Sequence, residues 1–252
     1  GQVFTAAFSS AAAPALLDKG LEGTSVTLFA LPGIGHDTVV GLKSAIKAAG
    51  GTPVATIDIH SDYINPAKKT YVDSVATNSS KGVKDIEGLK KASTYQVSGA
   101  LIARAYTGKG DVLSVDDEAT KIDGRLQGAK LLDLDGDLKR RGSLAVVLAP
   151  GTHGRDEVTT AQHEIASDLV TALANGSAGV LVTAPATTSM KGGLVAGLTA
   201  AKDAPSNLAT LNVAGTPGSP VAAVYALVAL AHDSAGDYGV VDGKAVLPPG
   251  LN

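Results

Sequence analysis

Apolar residues fall into two kinds of run along this chain. Val26–Leu31, Pro53–Ile59, Leu144–Ala149, Val180–Thr183 and Leu208–Val213 are short, nearly continuous blocks. That pattern predicts strands buried on both faces of a parallel sheet. Between the blocks, apolar residues recur at three- and four-residue spacing. Val39, Leu42, Ile46 and Ala49 form one face of a helix that His36-Asp37-Thr38 opens and Gly50-Gly51 stops. Asp156–Ala174 reads as a long acid-capped helix, Lys191–Ala201 as a short one, and Val221–His232 as an Ala/Val/Leu core helix.

One phrase repeats. LAVVLAPGTHGRDE (Leu144–Glu157) has a twin in VTLFALPGIGHD (Val26–Asp37) and a looser copy in VLVTAPATT (Val180–Thr188). Each copy starts as a strand and turns at a proline, and the first two go on through a histidine into a helix. The repeat is therefore the strand–loop–helix unit itself. Phe4–Leu17 is expected to be helical in part. The span from His60 to Gly110 reads as helical segments at Ala67–Ala76, Val83–Ala92 and Ser93–Tyr106. Residues 111–141 read as an irregular excursion with a hairpin turn at Asp135-Gly136, and Asp233–Gly239 as a loop before a Pro-rich tail. The fold class expected is α/β: one domain over residues 1–252, a three-layer α/β/α sandwich with a mostly parallel sheet, Rossmann-like.

Composition narrows the function. Aromatics make up 4% of the chain and Trp is absent, so the core is built from Ala, Val, Leu and Ile. The net charge is −3 and the one basic cluster is Lys139-Arg140-Arg141, which argues against a nucleic-acid surface. With no Cys there is no disulfide, thiolate metal site or cysteine nucleophile. No apolar run reaches the roughly 18 residues of a membrane span. The chain begins at Gly1 without an initiator Met, which reads as a soluble domain excised from a longer protein.

Ligands of open α/β sheets sit outside the carboxyl ends of the strands, where the topology switches. His36 and His153 each follow a Pro-Gly at such an end. With Asp37, Asp156 or Glu157 they are candidate ligands for Cu(II) or Zn, and His60 is a further candidate. Each also sits where a turn or cap residue would sit, and that structural role carries more weight. The catalytic signatures fail in turn. There is no G-x-S-x-G elbow and no phosphate-cradling G-x-x-x-x-G-K-[ST]. PGIGHD lacks the third glycine of a dinucleotide fingerprint, and the Asp133–Asp137 stretch has its glycine too early for a calcium loop. No catalytic or cofactor-binding residues are assigned, and no enzyme activity is expected.

Longer stretches are more telling. YALVALAHDSAG followed by Gly236-Asp237-Tyr238-Gly239, the early segment LEGTSVTLFALPGIGHDTVVGLKSAIKAAGGTPVATIDI, and YINPAKKTYVDSVATNSS together resemble the MctB copper-transport family of actinobacteria with mycolic-acid envelopes. The resemblance implies a single-pass cell-envelope protein whose membrane helix and coiled coil precede this domain. It further implies a homodimer through that coiled coil and a role in copper tolerance or efflux, with a pore-like outer-membrane role also attached to the family. In the corynebacterial branch it implies a role in cell division and septation beside a membrane partner. This chain departs from a Cu(I) conduit: Cys is absent, Met190 is the one Met, and His232 stands alone near the end. An open sheet is also no pore, because its edges would be unsatisfied in lipid. The expected function is thus an extracytoplasmic, membrane-anchored interaction domain without a resident cofactor. Two alternatives stay open: a Cu(II)-binding module using His36 and His153, and a small-molecule-binding protein or enzyme with a strand-end pocket.

Overall fold

The computed structural model describes residues 20–250 apart from 84, 85, 87, 88, 90, 91 and 242. The helical expectation for Phe4–Leu17, and most of that for Val83–Ala92, lies outside the described residues. Strands β1 (Ser25–Ala30), β2 (Thr52–Ile59), β3 (Leu132–Asp135), β4 (Leu144–Leu148), β5 (Gly179–Thr183), β6 (Leu208–Leu211), β7 (Asp237–Val241) and β8 (Lys244–Val246) form one sheet. Its order is β3-β2-β1-β4-β5-β6-β7-β8. The six strands from β2 across to β7 are parallel. Each edge is closed by an antiparallel strand, β3 against β2 and β8 against β7.

The helices are α1 (His36–Ala48), α2 (Ser61–Ile64), α3 (Lys69–Ser80), α4 (Thr94–Tyr106), α5 (Asp117–Gly128), α6 (Glu157–Gly176), α7 (Leu194–Ala200) and α8 (Ser219–Ala231). Every residue of β1, β4 and β5 is buried, which is why these strands read as nearly continuous apolar blocks. Side chains alternate between two cores. Val26, Leu28 and Ala30 of β1 join Val39, Leu42 and Ile46 of α1 and Val224 and Leu227 of α8 on one face. Phe29 joins Leu101 and Ile102 of α4 and Leu169 and Leu173 of α6 on the other. Burial of each such Leu or Ile side chain contributes about 1.5–3 kcal/mol. The three-layer α/β sandwich expected from the pattern is the fold observed.

Local chemistry sets the helix ends. Ser93 caps α4 in a reciprocal box: its Oγ accepts from the Gln96 N–H (3.2 Å), and its own N–H donates to Gln96 Oε1 (2.9 Å). Asp156 caps α6 by accepting from the Thr159 N–H at 2.9 Å. A Cβ on Gly99 would stand 3.0 Å from Ala172 Cβ, so this glycine lets α4 and α6 approach closely. The starts of β1 and β4 are latched together. The Ser143 N–H donates to Ser25 Oγ and Ser143 Oγ donates to the Ser25 carbonyl, both at 3.0 Å and across 118 residues of chain.

Two stretches differ from expectation. Residues 111–141 hold a helix and a strand. Ala119, Ile122 and Leu126 bury one side of α5, a stripe that its seven polar or charged residues obscure. Leu132–Asp135 pairs back onto β2, so Asp135-Gly136 ends an edge strand and is no hairpin between neighbours in sequence. Asp237–Gly239, read as loop, belong to β7, and β7 and β8 form an antiparallel pair at the far edge. β8 is three exposed residues and β7 buries Tyr238 among more exposed neighbours, too little to show an alternating pattern.

Candidate functional site

The chain order reverses between β1 and β4: β2 continues on one side, and β4 to β7 on the other. The loops leaving these two strands therefore flank the position where open α/β sheets place ligands. Leu31 N–H donates to the Leu148 carbonyl and Ala149 N–H to the Thr183 carbonyl, both at 3.0 Å, so the ladder runs right up to the loops. Gly33 has φ +98°, a backbone that requires glycine in the tight turn after β1.

His36 is exposed at the start of α1, where Gly35 is the N-cap and no side chain caps the helix. It lines a cleft of about 470 Å³ bounded by the β1 loop, α1 and the ends of β2 and β3. His153 is also exposed, but its backbone bridges to Gly193, and the Gly154 N–H donates to the Gly192 carbonyl at 3.1 Å. His36 thus serves the β2 side of the switch and His153 the side of the loop before α7. His60 pairs with Asp133 (Nε2 to Oδ2, 2.7 Å) rather than with its sequence neighbour Asp62. His163 of α6 contacts Thr152 Oγ1 at 3.3 Å, and partial burial holds its pKa below the ordinary histidine value. Among the described residues no three His, Cys, Asp or Glu side chains converge as a metal site.

The cleft beside α1 contains groups that motif reading passes over. Thr56 and Asp58 alternate along β2 with His60 just past its end, and the antiparallel register sets Asp135 opposite Thr56 and Asp133 opposite Asp58. Lys43 of α1 reaches across to Asp135 at 3.2 Å. The available signal is the period-two spacing of polar residues in VATIDIH and LDLD, at the ends of otherwise apolar strands.

A second charged cluster lies at the opposite, amino end of the strands. Arg104 donates to Asp116 (2.8 Å) and Glu118 (2.9 Å), and Arg141, 4% exposed, donates to the Arg104 carbonyl (3.1 Å). Asp116 also caps α5 through the Ala119 N–H at 2.8 Å. Partial burial opposes its charge, but the Arg104 hydrogen bond, the Ala119 N–H and the charges of Arg104 and Arg141 outweigh that and hold its pKa below the ordinary aspartate value. The cluster ties α4, α5 and the entry to β4 together, a structural role.

Among the described residues no helix is long and apolar enough to cross a membrane. No curated protein matches the chain. A protein family does: residues 3–249 match the family described as copper transport outer membrane protein, MctB. Matched over nearly its whole length, the chain belongs to the MctB family of copper-transport proteins of the outer membrane.

Proposed function

We propose that this chain is the extracytoplasmic domain of a single-pass, membrane-anchored envelope protein that acts through protein contacts in copper tolerance or efflux, or in cell division and septation. The family match over residues 3–249 carries this reading. The domain is not an enzyme and has no resident cofactor. It works as a homodimer held by a coiled coil ahead of it, beside a membrane partner, and it does not bind nucleic acid. The β7–β8 edge supports a contact role: Val240 is 48% exposed, Val246 36% and Leu247 47%, a concentration of apolar surface on a sheet edge. Chemical cross-linking of the full gene product in its own envelope tests the proposal. A dimer together with a cross-linked membrane protein is expected. A strict monomer with no envelope partner would overturn it.

A second reading, Cu(II) capture by His36 and His153, rests on both residues standing exposed beyond the switch-point strands, His36 at the start of α1 and His153 on the loop after β4. The contact reading expects wild-type protein and the His36→Ala/His153→Ala double variant to take up Cu(II) weakly and equally in a calorimetric titration. Tight uptake lost only in the double variant would establish the second reading.

A further inference from the structure

A helix on the surface of a sandwich needs a polar side, and α8 lacks one. Ser219–Ala231 holds no charged residue, whereas α1 carries Asp37, Lys43 and Lys47 and α6 carries Glu157, Glu164 and Asp168. Ala223, Ala226, Leu227 and Leu230 bury one side of α8 in the core. The opposite side would be the wet one, yet Val221, Tyr225 and Val228 line it at helical spacing. The tail touches the Tyr225 ring at Gly250, but that ring and both valines stay half-buried. A helix that is apolar all round is one that is covered on both sides. The layer has room for such a cover. Among the described residues α1 and α8 are the helices of this face of the sheet, while α2 to α7 all contribute to the core on the other.

The described chain enters at this same stripe. A Cβ on Gly20 would stand 2.8 Å from Val228 Cγ2, so the backbone of residue 20 lies directly on the Val228 side chain. The Leu21 N–H donates to the Ala49 carbonyl at 3.0 Å, which fixes the entry beside the end of α1. The sequence ahead of Gly20 is apolar in a matching pattern. No charged residue occurs from Val3 to Leu17, and Phe4, Phe8, Ala11 and Ala15 recur at helical spacing with Thr5, Ser9 and Ser10 off that line. Two of the chain's three Phe are among them, a residue type that folds usually bury. In helical form, residues 4–15 span roughly 17 Å, enough for the roughly 10 Å from Val221 to Val228. The family match begins at residue 3, so it takes in this segment.

We propose that residues 4–17 of this same chain cover α8, as a helix bent at Pro14 whose Phe4, Phe8, Ala11 and Ala15 side packs on Val221, Tyr225 and Val228. The direction follows from the entry point. Gly20 sits at Val228, so the chain covers the stripe by running back toward Val221, parallel to α8. Ala11 and Ala15 let the two helices approach closely near the entry, and Phe4 and Phe8 reach the Val221 end. This surface is independent of the contact role, which lies at the β7–β8 edge of the sheet.

The chain has no cysteine, so an introduced pair reports a single contact. Under mild oxidation of the full chain, Ala11→Cys/Tyr225→Cys is expected to close a disulfide within one molecule. Ala13→Cys/Tyr225→Cys, with its first thiol on the far side of the helix, is expected to stay reduced. Hydrogen exchange on the wild type is the second readout. The amides of residues 8–13 should exchange about tenfold or more slowly than in the unfolded chain, at a rate independent of protein concentration. Phe4→Ser/Phe8→Ser should abolish that protection and leave the amides of β4 and β5 unchanged. The proposal is overturned if the wild-type amides exchange at the unfolded rate, or if the two cysteine pairs oxidise equally. It is also overturned if the disulfide joins two molecules, which would make a second copy the cover. The exchange measurement needs no substitution, so it stands even where a variant fails to fold.

Discussion

Gly142→Ala is expected to lower folding stability by roughly 3 kcal/mol, at the upper end of overpacking costs. A Cβ at this position would stand 2.5 Å from the Thr27 backbone nitrogen, 2.6 Å from Thr27 Oγ1 and 2.7 Å from the Leu144 carbonyl. These are atoms of β1 and β4, the centre of the sheet, and no flexible side-chain tip is available to yield. The same glycine donates its N–H to the Tyr106 carbonyl and accepts from the Gly108 N–H, both at 3.0 Å. Movement to relieve the clash would therefore also strain the end of α4. In a chain of this length the melting temperature should fall by roughly 6–12 °C. Gly124→Ala is the internal control. It lies in α5 with no neighbouring atom within 4 Å of a Cβ, and alanine there should stabilise by up to about 1 kcal/mol. If both substitutions moved the melting temperature equally, the steric argument would fail.

The second large effect is expected at Asp116. Asp116→Ala removes the N-cap of α5 and a carboxylate that faces both Arg104 and Arg141. Arg104 keeps Glu118, and the Asp116 side chain is itself 46% exposed, so the loss falls short of that for a fully buried pair. About 2–3 kcal/mol is expected, readable as a lower urea midpoint with an unchanged slope. The pH dependence has a definite sign. The folded-state pKa of Asp116 is lowered relative to the unfolded chain. Its contribution is therefore complete above the ordinary aspartate pKa and fades as pH falls through the lower folded value. Asp116→Asn should show a flatter loss of stability in that acid range than the wild type. An identical acid limb in the two proteins would show that Asp116 is not the group being titrated.

The fold was legible wherever burial was complete. β1, β4 and β5 are apolar at nearly every position, since helices cover both faces, and an unbroken run of Val, Leu and Ala has few other uses in a short segment. The edges were not legible, because an edge strand has one neighbour and need not be apolar. β3 alternates Leu and Asp over four residues, and β8 is exposed throughout. The site divides along the same line. His36 and His153 stood out as histidines in a repeated phrase, but the repeat encodes a connection and says little of which way each loop faces. The cleft residues come from α1, β2 and β3, brought together by an antiparallel pairing between segments about 75 residues apart. A pairing of that kind leaves no local mark beyond the alternation of Thr56, Asp58 and His60.

The serine latch between β1 and β4 also has a consequence for how the chain assembles. Ser25 and Ser143 are 118 residues apart, so β1 can pair with β2 early but must wait for more than half of the chain before its other edge is covered. During that interval the open side of β1 presents unpaired N–H and C=O groups flanked by Val26, Leu28 and Phe29. Closing so long a loop is the slow kind of step in folding, because its entropy is lost before its contacts form. Until β4 is made, the nascent chain carries β1 with one edge uncovered, a form in need of protection from association.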